Sequence, residues 1–412
     1  MVIGFDAKRL LHNNTGLGNY ARNLISALLK RAPKHEYHLF APEAGPHPPD
    51  WIHKSHASLV YHHPQTARLA NGLRHSIWRT YGIARLAARF GVQLYHGLSH
   101  ELPHGLSRHR ISSIVTVHDL IFLRHPEWFP FADRFFYRQK VMRACRQANQ
   151  IVAISECTAR DIVDLLKISR ERIRVIYQSV SPEFKPQEAL PPFKQQTNSQ
   201  QAESIYSGSA SFGLITRPSN SKSDALPQNF ILAVGSCDAR KNYQTVLRAY
   251  AQLPEDRPPM VLTGRQGSER KKIEAQIRAC KLADQIIWRQ PKSAQELAHL
   301  YRQARFSVYL SRYEGFGLPV LESIACGTPV LAAYGSSLEE AGGNAAVYVQ
   351  PNDAEAAALE MRRLLYDDAF HHCQAQLCAP WAAGFSPVDL AQTWLDLYGQ
   401  WVPNSNVGGT ST

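Results

Sequence analysis

Several patterns that assign a function directly are missing from this chain of 412 residues. Its seven cysteines form no pair with zinc-site spacing, and the closest two, Cys373 and Cys378, suit no common metal site. No Asp-x-Asp triplet occurs, so a magnesium clamp has no obvious carboxylate ligands. No run approaches ~18 consecutive apolar residues, so no transmembrane helix is predicted. We therefore expect a protein without bound metal or cofactor that does not span a membrane.

Signals of export are also scarce. Residues 1–8 mix charged with apolar side chains, which is typical of a first strand and not of a signal peptide. An odd number of cysteines without an export signal indicates reduced thiols, so we expect a cytoplasmic protein. The chain is long enough for two domains of ordinary size, and a hydrophobic fraction of 44% is ordinary for globular proteins.

Positive charge is in excess, and the excess lies in one half of the chain. Up to Lys185 there are 26 Lys and Arg against 13 Asp and Glu, whereas beyond it there are 20 against 21. Such a surface suits an anionic lipid, a nucleic acid or a phosphorylated acceptor. Two predicted helices, 68–90 and 134–146, interleave arginines with apolar and aromatic residues. Helices of this kind can lie on a membrane, although packing one face on a sheet is their commoner use.

The most informative stretch runs from Tyr309 to Glu322. Residues 306–310 form an apolar run of strand type, Pro319 opens a helical run, and a second strand follows at 330–333. A glycine-rich loop between a strand and a helix is where open α/β sheets bind ligands. The helix N-terminus there favours an anion, so a phosphate is the natural occupant.

Two carboxylates frame this loop, Glu314 where the strand ends and Glu322 in the predicted first turn of the helix. Carboxylates repel a phosphate, but they accept hydrogen bonds from hydroxyls. A nucleotide sugar offers both groups, with a hexose on one side of its diphosphate and a ribose on the other. In the alternative interpretation, Glu322 merely complements the helix dipole and Glu314 is a solvated loop charge.

Together with the Ala-Cys-Gly-Thr-Pro-Val that follows, Glu-Gly-Phe-Gly-Leu-Pro-Val-Leu-Glu resembles the two-glutamate signature of glycosyltransferase family 4, retaining enzymes of group 1 type. The resemblance implies an α/β protein with the GT-B fold, in which two Rossmann-like, doubly wound parallel-sheet domains face each other across a cleft. The donor-binding residues that it implies in this stretch are Gly315, Phe316, Gly317, Leu318 and Glu322, with Glu314 as a catalytic residue.

A second anion site is predicted earlier in the chain. The strand 230–234 is followed by Gly235 and then by Arg240 and Lys241 at a predicted helix start. The resemblance implies that this basic pair binds the diphosphate of the donor. Many family members have an arginine directly after the glycine, where this chain has Ser236. The alternative is two solvated charges at a helix start.

In the first half of the chain, Gly16 and Gly18 precede a helix and let the backbone approach a ligand. With Ala21 their spacing matches a dinucleotide fingerprint, but no acidic residue follows at the expected distance, so a nicotinamide site is not predicted. The resemblance implies that this loop contacts the donor phosphate and the acceptor. A helix start that simply needs glycine is the alternative.

Polar residues also follow two predicted strands of the first half. His118 and Asp119 end the strand 111–117, where side chains face the ligand crevice. The resemblance implies that His118 is the active-site histidine that touches the donor sugar, whereas Asp119 either orients His118 or caps the turn. Ser155 has the position of a helix cap, and the resemblance also places a serine near the acceptor.

Changes of composition divide the chain. Residues 1–185 are expected to form the acceptor-side domain and 229–385 the nucleotide-sugar domain. They are separated by a flexible linker, 186–228, rich in Gln, Ser, Asn and Pro. An amphipathic segment, 386–402, is expected to cross back to the first domain, and 403–412 to form a tail.

The resemblance thus implies retaining, metal-independent transfer of a hexose from a nucleotide-diphosphate sugar to a hydroxyl of a glycan or lipid-linked acceptor. The motifs Thr-Gly-Leu-Gly and Ala-Arg-Lys-Asn resemble those of mannosyl-type relatives. Contact with an anionic membrane at the cytoplasmic face stays open. One alternative is another nucleotide-sugar enzyme, such as an epimerase or a phosphorylase. The other is a non-catalytic nucleic-acid-binding protein, suggested by a pI of about 9.4, but no recognition module occurs and no nucleic acid partner is expected.

Overall fold

The computed structural model describes residues 1–13, 16–42, 59–62, 76–186, 227 and 229–402. The predicted linker therefore lies outside the described residues except for Pro186 and Pro227, as do the predicted tail and the first part of the basic stretch 68–90.

The first domain is built on a sheet of seven parallel strands in the part of the chain that the structure describes. The strands are β1 (Val2–Asp6), β2 (Glu36–Phe40), β3 (Leu59–His62), β4 (Leu94–Gly97), β5 (Ser112–Val117), β6 (Gln150–Ala153) and β7 (Ile173–Val175). Their order is β3-β2-β1-β4-β5-β6-β7, so the direction of winding reverses between β1 and β4. The carboxyl ends of strands at such a reversal form the ligand crevice of an open sheet.

The second domain repeats this plan with six parallel strands within the described ranges. They are β8 (Phe230–Val234), β9 (Met260–Thr263), β10 (Ile286–Arg289), β11 (Ala304–Tyr309), β12 (Val330–Ala333) and β13 (Ala346–Val349). The order is β10-β9-β8-β11-β12-β13, and the reversal lies between β8 and β11. The prediction of two doubly wound parallel sheets is confirmed.

Helices cover both faces of each sheet, which is why strands such as β12 are buried along their whole length. Those of the first domain are α1 (Lys8–His12), α2 (Gly16–Arg31), α3 (Ile83–Arg89), α4 (Ile121–Arg124), α5 (Phe131–Gln147) and α6 (Glu156–Leu166), with a π-helical turn at Trp78–Gly82. The second domain has α7 (Tyr243–Ala251), α8 (Arg270–Ala279), α9 (Ala294–Gln303), α10 (Leu318–Ala325), α11 (Leu338–Gly342), α12 (Ala354–Tyr366) and α13 (Asp368–Ala383). No helix in these ranges is both long and apolar enough to cross a membrane.

The last helix, α14 (Pro387–Trp401), packs against α2 of the first domain. Its apolar face, with Trp394, Leu397 and Tyr398 fully buried, adds to the core on one side of the first sheet. The Tyr398 hydroxyl lies 2.8 Å from Nδ1 of the buried His96. The burial of these aromatic side chains holds α14 firmly on the first domain.

Two local details differ from the sequence-based expectation. Helix α10 begins at Leu318, one residue before Pro319, so Glu322 lies in its second turn and not in its first. A proline at the second helical position is still compatible with the helix, because its missing N–H has no partner there. Arg240 and Lys241 lie in a short 3-10 segment, Ala239–Lys241, which precedes α7.

Candidate active site

The loops at the carboxyl ends of the two sheets meet close to the reversal point of each. A Cβ on Gly315, which follows β11, would lie 2.0 Å from the carbonyl oxygen of His118, which follows β5. A Cβ on Gly16, at the start of α2, would lie 3.8 Å from the Leu318 side chain at the start of α10. The structure thus brings together segments that are about 200 to 300 residues apart in the chain.

Glu314 is the centre of the polar contacts at this meeting point. Its Oε1 accepts hydrogen bonds from Arg240 (2.5 Å), Lys241 (2.6 Å), the Tyr309 hydroxyl (2.9 Å) and the Ser311 hydroxyl (2.6 Å). Lys241 also donates to the Tyr309 hydroxyl. The predicted basic pair and the predicted first glutamate therefore form one cluster, to which Tyr309 and Ser311 add hydroxyls that the sequence did not single out.

The cluster carries a net positive charge at neutral pH. Burial alone would raise the pKa of Glu314, but Arg240 and Lys241 lower it to about 2, so the carboxylate is ionised. Burial lowers the pKa of Lys241 to about 8, against the opposing effect of Glu314. Burial also disfavours the charge on Arg240, but Glu314 raises its pKa overall. Two cations thus face one carboxylate, which leaves positive charge for a further anion.

The basic pair is fixed by its backbone neighbours. Gly235 has φ of +151°, a conformation that favours glycine, and a Cβ there would lie 3.3 Å from the Lys241 side chain. Asn242 ends the 3-10 segment in the left-handed region and donates from its side chain to the Leu310 carbonyl (3.1 Å). The Arg312 amide donates to the Arg240 carbonyl (2.8 Å). These bonds join the loop after β8 to the loop after β11.

Each residue of the Gly-Phe-Gly loop has a packing role. Gly315 leaves room for the first domain, and Gly317 has φ of +115° with Leu338 only 2.7 Å from where a Cβ would be. The Phe316 side chain is buried and packs on Tyr177 and Phe385, at ring-centroid distances of 5.8 and 6.0 Å. If Phe316 contacts the donor as predicted, its backbone makes the contact and not its side chain. The N–H groups that open α10 lack partners within the helix, as at any helix N-terminus.

Glu322, the second glutamate of the signature, is buried like Glu314 but has fewer polar partners. Its Oε2 accepts a hydrogen bond from the Tyr301 hydroxyl (3.3 Å). Burial raises the pKa of Glu322 to about 7, although Tyr301 and the charge of Lys241 oppose the shift. Neutral and ionised forms of Glu322 therefore coexist at neutral pH.

His118 lies at the cleft with both ring nitrogens engaged. Nε2 donates to the Leu98 carbonyl (2.8 Å), which fixes the tautomer, and the Gln178 side-chain amide lies 3.5 Å from Nδ1. The Tyr20 ring packs edge-on against the imidazole at 4.7 Å. Burial, with His100 nearby, lowers the pKa of His118 to about 3, so the ring is neutral. This environment suits a residue that positions groups more than one that transfers a proton.

The two residues predicted on the acceptor side have local partners. Asp119 Oδ1 accepts from the Ile121 amide (3.2 Å), and burial raises the pKa of Asp119 although Arg240 across the cleft opposes the shift. Ser155 caps α6 by accepting from the Thr158 amide (2.9 Å), and its hydroxyl donates to the Gly315 carbonyl (2.6 Å). Ser155 therefore joins the two domains as well as capping a helix.

The two glycines of the first loop differ in what they contact. Gly16 faces Leu318 of the second domain. Gly18 packs on its own loop, because a Cβ there would lie 1.7 Å from the Asn13 carbonyl oxygen, and its amide donates to the Asn13 side chain (3.3 Å). Contacts within its own loop therefore explain why residue 18 is glycine. Within the described residues, no group of three His, Cys, Asp or Glu side chains is arranged to bind a metal ion.

Two glycosyltransferase family models match this chain, one in each domain. A family model described as Glycosyltransferase Family 4 matches residues 14–184, and one described as Glycosyl transferases group 1 matches residues 217–376. O-antigen chain mannosyltransferase B of Escherichia coli is 29% identical over 284 residues, which cover 67% of this chain and 66% of that protein. The serotype-specific mannosyltransferase WbdA of Escherichia coli is 29% identical over 266 residues, 63% of this chain. The chain thus spans just under two thirds of the first relative and 30% of the second.

Solved structures show the same architecture. Sucrose-phosphate synthase from Thermosynechococcus elongatus superposes with a TM-score of 0.73 at 20% identity, covering 97% of this chain and 98% of that one. HepE of Anabaena, solved with UDP and glucose, gives a TM-score of 0.70 at 16% identity and covers 97% and 100%. These neighbours have the GT-B fold, which confirms the predicted fold class. The matched ranges contain the basic pair, the two glutamates and His118, and the chain belongs to glycosyltransferase family 4 of group 1 type.

Proposed function

We propose that this chain is a retaining glycosyltransferase that moves a hexose from a nucleotide-diphosphate sugar to a hydroxyl of a glycan or lipid-linked acceptor. The observation that carries the proposal is the cluster of Arg240, Lys241 and Glu314 beside the N-terminus of α10. Two cations and a helix N-terminus suit a diphosphate. A carboxylate within hydrogen-bond distance of both cations suits the hydroxyls of the attached sugar.

The cluster also suits the charge that develops during the reaction. The barrier lies in breaking the bond between the sugar and its phosphate, because negative charge then builds on the leaving diphosphate. Arg240 and Lys241 each have several N–H donors, so they can bind Glu314 and a phosphate at the same time. Fixed cations in a buried site stabilise such charge strongly. We therefore expect turnover without a divalent metal, and EDTA should leave the rate unchanged.

Retention of configuration has two possible routes at this site. In one, the Asp119 carboxylate attacks the anomeric carbon and expels the diphosphate; the acceptor hydroxyl then displaces Asp119, and the released diphosphate takes the acceptor proton. In the other, the acceptor oxygen bonds to the anomeric carbon on the face that the diphosphate leaves. The carbon–oxygen bond to phosphate breaks with its electron pair, and the leaving phosphate takes the acceptor proton. We favour the second route, because burial raises the pKa of Asp119 and so disfavours the ionised carboxylate that the first route needs.

The remaining residues would position the donor. His118, neutral and held at both ring nitrogens, would shape the pocket near the reacting carbon. Glu314 would accept hydrogen bonds from the hexose, and the ionised form of Glu322 from the ribose. The loop at Gly16, which faces Leu318, would close over the donor phosphate.

The names of the relatives suggest the sugar and the acceptor. O-antigen chain mannosyltransferases of Escherichia coli and Salmonella typhimurium are 29% and 23% identical to this chain. We therefore propose a mannosyl donor and a growing surface polysaccharide, carried on a lipid, as acceptor. Such an acceptor would place the enzyme at the cytoplasmic face of the inner membrane.

Helix α5 offers the surface for that location. Phe131, Phe135 and Phe136 are 76%, 53% and 62% exposed, and Arg134 and Arg138 flank the last two of them in the helix. Exposed aromatics flanked by arginines suit anionic lipid headgroups. Phe135→Ser/Phe136→Ser should lose co-sedimentation with vesicles of anionic lipid, whereas Leu359→Ser, an equally exposed apolar residue on α12, should keep it. No binding by the unchanged protein at low salt would remove this part of the proposal.

The transferase activity itself is tested with a panel of nucleotide sugars. We expect the purified protein to hydrolyse one donor slowly and to transfer its sugar to a mannoside acceptor. NMR of the product should show the same anomeric configuration as in the donor. Lys241→Ala and Glu314→Ala should reduce both rates at least about 100-fold. Lys140→Ala, a change at a half-exposed charge on α5, is the matched control. Rates like those of the unchanged protein in both site variants would refute the assignment.

A further inference from the structure

Glu340 of the second domain caps a helix of the first. Its side chain extends from α11 to the start of α6, where its two carboxylate oxygens accept hydrogen bonds from the Glu156 amide (2.6 Å) and the Cys157 amide (2.7 Å). The first amides of a helix have no partner within it and carry the positive end of its dipole. An ionised carboxylate is the strongest acceptor for such donors.

The same helix end binds a second loop of the other domain. Ser155 Oγ donates to the Gly315 carbonyl (2.6 Å) while it caps the Thr158 amide. Thr158 Oγ1 lies within hydrogen-bond distance of both the Gly315 carbonyl (3.1 Å) and the His118 carbonyl (3.2 Å). The first three amides of α6 are therefore occupied, two by Glu340 and one by Ser155. The helix end contacts the chain on both sides of the cleft at the point where His118 meets Gly315.

Glu340 also belongs to the element that supports the donor loop. It lies two residues after Leu338, which is the side chain that packs where Gly317 has no Cβ. A shift of α11 relative to α6 would break both hydrogen bonds of Glu340 and would move Gly317 with it. Its neighbour Glu339 is different, because its carboxylate accepts from the Gly335 amide (3.0 Å) within its own domain.

We propose that Glu340 is a positioning residue that holds the cleft closed by capping α6 from the opposite domain. Closure places His118 and Asp119 of the first domain against the loop from Glu314 to Gly317. Opening would expose the α6 amides and the Glu340 carboxylate to water, which can solvate both, so the contact can form and break. The kinetic consequence rests on the transferase function proposed above, whereas closure itself does not.

Closure is tested first without any donor. In Glu340→Ala, small-angle X-ray scattering should give a larger radius of gyration, and the amides of Glu156 and Cys157 should exchange hydrogen about 5- to 30-fold faster, the effect of losing a helix cap. Glu340→Gln keeps one acceptor and should lie between this variant and the unchanged protein. Glu339→Ala is the control and should match the unchanged protein. Unchanged scattering and exchange in Glu340→Ala would overturn the proposal.

A kinetic split separates positioning from a general loss of structure. The donor cluster lies within the second domain, so Glu340→Ala should bind GDP or UDP as the unchanged protein does, while kcat falls about 10-fold or more. Rescue of kcat in part by Glu340→Asp would support the cap. If the unchanged protein turns over no nucleotide sugar, the proposed function fails while the scattering result stands. If it does turn over and Glu340→Ala has the same kcat, the positioning role fails.

Discussion

The charge on Lys241 gives the proposed donor site a pH dependence that can be calculated. Burial lowers the pKa of Lys241 to about 8 from its ordinary 10.5, so the side chain loses its proton as the pH rises through about 8. A group with this pKa is about 90% charged at pH 7, about 10% at pH 9 and about 1% at pH 10. If the ammonium binds the diphosphate, kcat/KM for the donor should fall about tenfold between pH 7 and pH 9, and about ninefold more by pH 10.

The assay is the initial rate of donor hydrolysis at low donor concentration, because kcat/KM reports groups that titrate in the free enzyme. Lys241→Arg is the matched variant, since a guanidinium keeps its charge throughout this range. We expect a lower rate at pH 7, because the fork does not fit the place of the ammonium beside Tyr309, but no fall up to pH 10. A flat profile in the unchanged protein, or the same fall in both proteins, would refute the reasoning.

Three other perturbations follow from contacts in the structure. Glu314→Gln should lower the free energy of unfolding at pH 7 by about 3 kcal/mol, since it leaves two buried cations without their carboxylate. Because the pKa of Glu314 is about 2, the carboxylate stabilises the fold fully above about pH 4.5. Urea titrations should therefore show the difference between the two proteins shrinking as the pH falls toward 2. Gly315→Ala should increase the radius of gyration and reduce kcat, because its Cβ would collide with the His118 carbonyl oxygen; unchanged scattering would contradict the closed geometry. Trp394→Ala should cost about 3–5 kcal/mol in urea titrations, because the indole is buried between α14 and the first domain.

Local signals allowed much of the second domain to be predicted. The bounds of β8 and β12 agree with the prediction because continuous apolar runs bounded by glycine or proline mark buried parallel strands. The basic pair and Glu314 were expected near one ligand, and the structure joins them by direct hydrogen bonds. The basic pair and Glu314 lie close together because they follow β8 and β11, which are neighbours at the reversal of the sheet.

Contacts between the domains could not be predicted in the same way. Ser155 has the sequence signal of a helix cap, but its bond to Gly315 depends on how two sheets meet. Phe316 stands within the signature, yet its side chain packs on Phe385, a residue that no local pattern relates to it. Glu322 was predicted in the first turn of α10 but lies in the second, because the helix starts one residue before the proline that was expected to mark its start. For Ser155 and Phe316 the deciding partner is distant in sequence.

We propose that a diphosphate binds between the basic pair and the start of α10. The most direct measurement is a crystal structure of the protein with GDP or UDP bound. We predict phosphate oxygens about 2.7–3.1 Å from Lys241 Nζ and from the first amides of α10, with Arg240 bridging a phosphate and Glu314. A nucleotide bound elsewhere would contradict this proposal. So would a nucleotide whose phosphates do not contact Lys241, so that Lys241 contacts only Glu314 and Tyr309.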